Sequence, residues 1–280
     1  MKSPRFEVVT TTAGAVSIRN LELNEIMHNP VGPWAEANAL YIDQSALKQR
    51  LSEPLHDELV VFDVGLGAAA NALAVLHCAQ SVPNRTRGLR LVSFERDLEL
   101  LEFALENAGQ FEHFRGFEDP MKQLLETGQW SSAGIHWSLH RGDFLKQVAL
   151  EPARPHIVYY DPYSQKVDRG LWTEAAFRVL RQYSREAGDG GTLILTYSQS
   201  TPIRSGLLSA GFFVGRGIPT GFKEETTQAA TRLEDLHSPL GEEWLGRWKR
   251  SHTKHPFDCL PGDQPRLEQV ILGHPQFASL

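Results

Sequence analysis

Four segments of this 280-residue chain place acids, glycines or aromatic residues where an apolar, strand-like run ends. The first is Asp63-Val64-Gly65-Leu66-Gly67-Ala68-Ala69-Ala70. Its glycines let the backbone turn tightly into a helix and come close to a ligand. By themselves they decide little. The run fits the G-x-G-x-x-A form of the dinucleotide fingerprint, and equally a strand–helix turn that holds nothing. Asp63 bears on the choice, because a carboxylate two residues before the first glycine opposes a pyrophosphate but suits an ammonium group or a bound water. The expected ligand therefore has a cationic amino-acid end.

S-adenosylmethionine is such a ligand, and the next segments suit its other parts. The second run ends in Phe94-Glu95-Arg96-Asp97, where Glu95 is placed to accept both hydroxyls of a ribose, or else to cap or pair locally beside Arg96. The third ends in His140-Arg141-Gly142-Asp143-Phe144; Asp143 is expected to accept from an adenine amino group, although a Gly-Asp turn is also ordinary. The fourth, Tyr160-Asp161-Pro162-Tyr163-Ser164, says most. A carboxylate, a ring that fixes the turn and an aromatic face resemble the Asp/Asn-Pro-Pro-Tyr loop of amino-group methyltransferases. Such a loop holds an amine by hydrogen bonds and a flat group by stacking. A purely structural turn is the competing reading for any one segment, and is harder to sustain for all four.

Other residues carry less. His77, His113, His136 and His156 have no metal-ligand spacing, and His252 with His255 reads as a solvated tail, so no metal is expected. Trp244, Leu245 and Trp248 at helical spacing read as a docking face rather than a base-stacking platform. Arg247, Lys249, Arg250 and Lys254 form one candidate patch for RNA phosphates, and Arg85, Arg87 and Arg90 a second.

The elements that must position these groups follow from periodicity. Phe6–Thr10 and Ala15–Arg19 read as a hairpin, and 34–51 as a helix with Asp43-Gln44-Ser45 as a candidate break. Strands are expected over 59–63, 89–94, 135–140, 157–160 and 192–197, with helices over 68–80, 98–108, 171–184 and 204–210 between and after them. A closing hairpin (212–214 with 226–231), a helix over 242–249 and a strand over 267–272 complete the chain. Alternating strands and helices imply an α/β fold, a mostly parallel sheet covered on both faces with ligands at the strand carboxyl ends. We expect an N-terminal hairpin and helical cap over 1–55, the main domain over 56–231 and a C-terminal extension over 232–280 packed on it.

Composition agrees. At 41% hydrophobic and 22% charged the chain is not a disordered one. Two cysteines, Cys78 and Cys259, exclude a disulfide framework and an all-cysteine zinc site and suit a reducing, cytoplasmic compartment. No run approaches the roughly 20 apolar residues of a membrane span, and the N-terminus lacks an apolar signal core. A net charge of −6 argues against indiscriminate adhesion to nucleic acid, leaving only local patches for RNA.

Taken together the motifs resemble the methyltransferase domain of the MnmC family, which modifies the wobble uridine of certain tRNAs. The match rests on Phe62-Asp63-Val64-Gly65-Leu66-Gly67, on Asp161-Pro162-Tyr163-Ser164 before Leu171-Trp172-Thr173, and on Gly191-Thr192-Leu193 with Thr196-Tyr197-Ser198. Arg204 before Ala210-Gly211-Phe212 and Gly221-Phe222-Lys223-Glu224 continue it, while Asn24-Glu25-Ile26-Met27-His28, Gly32 and Glu36-Ala37 are similar to the front of the stand-alone members. Gln165 departs, standing where proline is expected. The resemblance implies a Rossmann-like class I methyltransferase that uses S-adenosylmethionine to convert a 5-aminomethyl group on the wobble uridine to 5-methylaminomethyl. It implies Asp161 as the residue orienting the amine and Asp63, Gly65, Gly67, Glu95, Asp143 and Asp161 as cofactor contacts. Tyr163 and Ser164 would meet the uridine and Lys223 the tRNA. No second glycine fingerprint follows residue 230, so the family's FAD-dependent oxidase would be a separate partner acting upstream. Two alternatives remain on the same fold, another amine substrate and a non-catalytic RNA-binding module; a nicotinamide-dependent oxidoreductase is a third.

Overall fold

The computed structural model describes residues 5–27, 30–219 and 224–278. In chain order the first strands are β1 (Phe6–Thr10), β2 (Val16–Asn20) and the two-residue β3 (Glu25–Ile26), an antiparallel sheet in the order β1-β2-β3. Next come α1 (Pro33–Ala37), a widened π turn over Asn38–Asp43 and α2 (Leu47–Ser52). The break falls where the polar triplet predicted it, with Ala46 left-handed at φ 50°.

Alternation then begins: β4 (Glu58–Val64), α3 (Ala70–Gln80), β5 (Gly88–Glu95), α4 (Glu99–Glu106), α5 (Glu118–Thr127), β6 (Gln129–Ser132), β7 (Ile135–Arg141) and α6 (Phe144–Gln147). It continues with β8 (Ile157–Tyr160), α7 (Glu174–Tyr183), β9 (Leu193–Thr196), α8 (Thr201–Ser209), β10 (Phe213–Gly217) and β11 (Thr226–Ala230). The chain closes with β12 (Ser238–Pro239), α9 (Glu242–Arg250) and α10 (Gln264–Leu272). Five elements were not anticipated: the two-residue β3 and β12, the four-residue α6, α5, whose apolar stripe is short, and β6, an edge strand of mostly exposed residues. One expectation is corrected, since 267–272 is helical. Pro265 sits in the first turn, where a missing N–H costs nothing, and Leu267 and Ile271 are buried four residues apart.

The large sheet has the order β12-β10-β11-β9-β8-β4-β5-β7-β6. β4 pairs in parallel with both β5 and β8, so the chain winds outward in two directions from the β4/β8 boundary. That reversal opens a crevice beyond the strand ends, where open α/β sheets bind ligands. Side chains along the central strands alternate between two cores. Leu59, Val61, Leu89, Leu91 and Tyr159 meet α3–α5 and the cap. Phe62, Val64, Phe94, Val158 and Tyr160 meet the layer of α6–α10.

Candidate active site

The central strands end level. Val64 is in register with Phe94 on β5 and with Tyr160 on β8. Hydrogen bonds knit the exits together: Gly65 N–H donates to the Phe94 carbonyl (3.0 Å), Asp161 N–H to that of Val64 (2.9 Å), and Gly142 N–H to that of Glu95 (2.8 Å). Gly65 has φ +90°, and a Cβ there would lie 2.5 Å from the Asp161 carbonyl oxygen and 2.9 Å from Pro162 Cα. The turns after β4 and β8 can touch only because residue 65 has no side chain.

Above this junction lies a cavity of about 330 Å³, walled by Gly65, Gly67, Glu95, Asp161, Tyr163 and Ser164, all expected from the sequence. Asn71, Tyr197 and, from the cap, Glu25 and Glu36 also line it. A second cavity of about 360 Å³ shares Gly65, Glu95, Pro162 and Tyr163 with the first and reaches Asp143 and Phe144. Glu95 thus stands at the junction of the two.

The first cavity is electrostatically one-sided. Four carboxylates, Glu25, Glu36, Glu95 and Asp161, reach its wall, and no lysine, arginine or histidine does among the described residues. Such a surface favours cations and rejects a pyrophosphate, which removes the physical basis for a nicotinamide cofactor here.

Individual acids are held in different ways. Glu95 accepts from the N–H groups of Gly67 (3.0 Å), Arg96 (2.7 Å) and Asp97 (2.9 Å). Burial pushes its carboxyl up and those three bonds pull it down. With about four lone-pair directions on a carboxylate, little is left for more than one ribose hydroxyl. Asp143 Oδ1 caps α6 by accepting from Leu145 N–H at 3.0 Å, the ordinary role weighed for it, while the residue also lines the second cavity. Asp161 Oδ2 accepts from Asn71 Nδ2 at 2.7 Å.

Asp63 is placed otherwise than expected. It is wholly buried behind the wall and belongs to neither lining, so a direct contact with a ligand ammonium is not what the geometry offers. Its Oδ2 accepts from Ser93 Oγ (2.9 Å), which in turn accepts from Trp137 Nε1 (3.0 Å). Oδ1 has no hydrogen-bond partner, and burial, with the Asp161 and Glu95 charges, pushes the carboxyl up to about 8.

Aromatic residues frame the Asp161 turn. Tyr163 is partly buried in both linings, and burial raises its phenol to about 12. Tyr197 donates to the Pro162 carbonyl (3.3 Å) and packs edge-on against Trp172, whose Nε1 donates to the Tyr163 carbonyl (2.8 Å). The Gln165 departure leaves a buried Oε1 with no hydrogen-bond partner. Lys223 lies outside the described residues.

The basic patches change most. Arg87 is buried against Glu53 (2.8 Å) and Asp57 (3.0 Å), Arg85 bonds the Ala133 carbonyl and Arg90 bonds Glu58. These residues sit before and at the start of β5, at the end of the strands opposite the cavities, and are spent on structure. On α9, Arg247 pairs with Glu243, and Lys254 beyond it pairs with Glu268 and sits over Trp248. Trp248 itself is buried, with Nε1 donating to Ser205 on α8, so the tryptophans do form a docking face.

Comparison with known proteins follows the same line. Residues 118–232 match a family described as S-adenosyl-L-methionine-dependent methyltransferase. The chain is 26% identical over 220 residues to the tRNA 5-methylaminomethyl-2-thiouridine biosynthesis bifunctional protein MnmC of Cupriavidus metallidurans, covering 74% of this chain and 31% of that one. It is also 26% identical over 225 residues to an uncharacterized protein of Methanocaldococcus jannaschii, covering 79% of this chain and 58% of that one. The chain therefore spans less than two thirds of either relative. Among solved structures, MNMC2 from Aquifex aeolicus shares the fold, with a TM-score of 0.71, 20% identity and coverage of 97% of this chain and 85% of that one. Family match and fold define a class by similarity: residues 118–232 resemble S-adenosylmethionine-dependent methyltransferases, and the fold is the Rossmann-like α/β fold shared with MNMC2. Within that class, the chain is similar to the MnmC proteins of Cupriavidus metallidurans and Campylobacter concisus.

Proposed function

We propose that this protein methylates the primary amine of a 5-aminomethyl group on the wobble uridine of tRNA, giving 5-methylaminomethyluridine or its 2-thio form. The observation that carries this reading is the cavity at the β4/β8 reversal, walled by four carboxylates and no cationic side chain among the described residues. It suits a positively charged donor and an amine acceptor together. The MnmC relatives supply the substrate, because their name specifies 5-methylaminomethyl-2-thiouridine in tRNA.

The residues present fit the cofactor. Gly65 and Gly67 leave the turn bare, Glu95 at the junction would take the ribose, and Asp143 in the second cavity would take the adenine. Asp161, Glu36 and Glu25 would face the amino-acid end and the acceptor, and Asp63 would support the wall from behind. When bound, S-adenosylmethionine supplies a methyl carbon already activated by a positively charged sulfur. The work left to the chain is positional, worth about 7–11 kcal/mol when reacting atoms are well aligned. Asp161 accepts a hydrogen bond from the amine and aims its lone pair. A carboxylate is a weak base for an amine, so its task is orientation. Tyr163 and Ser164 flank the uracil, and Lys223 and the remaining charges of α9 meet phosphates.

In this reading residues 1–55 form the cap that carries Glu25 and Glu36 to the cavity, 56–231 the catalytic domain and 232–280 its extension. A separate FAD-dependent oxidase would expose the amine beforehand. Unpaired Cys78 and Cys259 and a tRNA substrate suit the cytoplasm.

The test is methyl transfer from labelled S-adenosylmethionine to tRNA from cells lacking their wobble methyltransferase, with nucleosides resolved by mass. Label in a 5-methylaminomethyluridine nucleoside is the expected result, and Asp161→Asn should lower kcat about 10- to 100-fold with KM little changed. Label in a peptide or metabolite instead, with none in tRNA, would reassign the substrate.

A further inference from the structure

We propose that Asn71 is a positioning residue, holding the Asp161 carboxylate in the orientation from which it receives the acceptor amine; this rests on the function proposed above. Asn71 is the second residue of α3, in the run Ala70-Asn71-Ala72-Leu73-Ala74. An asparagine there forms helix less readily than its neighbours, and a buried amide is costly unless hydrogen-bonded. The side chain is 5% exposed, and Nδ2 donates to Asp161 Oδ2 at 2.7 Å, ninety residues away in sequence. That bond joins the helix following the glycine turn to the turn following β8, whose backbone Gly65 also meets. The N-terminus of the eleven-residue α3 adds a positive dipole end on the same side.

The charges around Asp161 explain why a neutral donor such as Asn71 matters to it. Glu25, Glu36 and Glu95 share its cavity, and Tyr41, which is also a hydrogen-bonding neighbour of Asp161, and Tyr197 are buried close enough for its charge to raise their phenols. Against those acids the Asn71 amide is a neutral group that favours the carboxylate form and fixes which oxygen is committed. A carboxylate has further lone pairs, so the amine can bond to it as well.

Two variants of the full-length protein test this, Asn71→Leu and Asn71→Asp, with wild type as reference. In Asn71→Leu we expect kcat for tRNA methylation to fall about 10- to 100-fold, while the calorimetric Kd for S-adenosylmethionine stays within about threefold. The 13C carboxyl signal of Asp161 in the ligand-free protein should titrate at higher pH than in wild type. Relative to wild type at the same pH, Asn71→Asp should keep most of its activity at low pH, where two facing carboxylates share a proton, and lose it as pH rises and that proton leaves. An unchanged Asp161 titration in Asn71→Leu, or a loss of activity matched by an equal loss of cofactor affinity, would overturn the assignment. If wild type itself leaves tRNA unmethylated, the substrate reading fails, while the Asp161 titration still decides the role of Asn71.

Discussion

Two aspartates two ends of the same site use the protein differently. Asp161 faces the cavity with its charge supported by Asn71, while Asp63 sits behind the wall with one oxygen on Ser93 and the other without a partner. Burial holds the Asp63 carboxyl at about 8, far above its ordinary 3.8, so the native state keeps a proton that the unfolded chain releases. That contribution is fully present below about pH 4 and is lost as pH rises toward 8. Asp63→Asn removes the titration. Its melting temperature should therefore sit closest to wild type, or below it, near pH 4, and gain steadily on wild type up to pH 8. A constant offset across that range, in melts of the ligand-free protein, would show that Asp63 does not titrate in the native state.

Among the elements, the two turns after β4 and β8 matter most, because they meet at a position where no side chain fits. Gly65→Ala would drive a Cβ into the Asp161 backbone at a φ of +90°. Stability should fall by about 1–3 kcal/mol, and cofactor binding should weaken with it because the Asp161 turn must move. Chemical denaturation and calorimetry on the same variant separate the two effects. These turns were legible in the sequence: apolar runs end abruptly in Asp63-Val64-Gly65 and in Asp161-Pro162-Tyr163, and such punctuation depends on local chain geometry. Asn71, Glu36 and the depth of Asp63 were not legible in the same way. An amide in an alanine-rich helix carries no sign of its partner ninety residues on, and whether a strand-end acid faces a cavity or lies behind it depends on where the next turn packs. The strand expected over 267–272 failed for a related reason, as its apolar residues suit either period and only Pro265 favoured the helix.

On the scale of the whole molecule, the fold brings acids from distant parts of the chain to one place. Glu25 and Glu36 come from the cap, Glu95 from β5 and Asp161 from the end of β8. Arg5 fastens the cap to the sheet, bonding Asp97 at 2.6 Å and Glu99 at 2.5 Å and pairing with Glu22 at 3.1 Å. At the other end Gln276 ties the chain terminus to β10, donating to the carbonyls of Val214 and Leu240 and accepting from Val214 N–H. The net charge of −6 is thus concentrated partly where a cation would bind, and many of the arginines and lysines that looked available for RNA are engaged in ion pairs. The most direct measurement is a calorimetric titration of the purified protein with S-adenosylmethionine and, separately, with NADH. Saturable binding of the sulfonium compound, with NADH at least about a hundredfold weaker because the four carboxylates of the first cavity oppose its pyrophosphate, is the predicted result. Equal or tighter binding of NADH, or no binding of S-adenosylmethionine, would contradict the cavity's role as a cation site for methyl transfer.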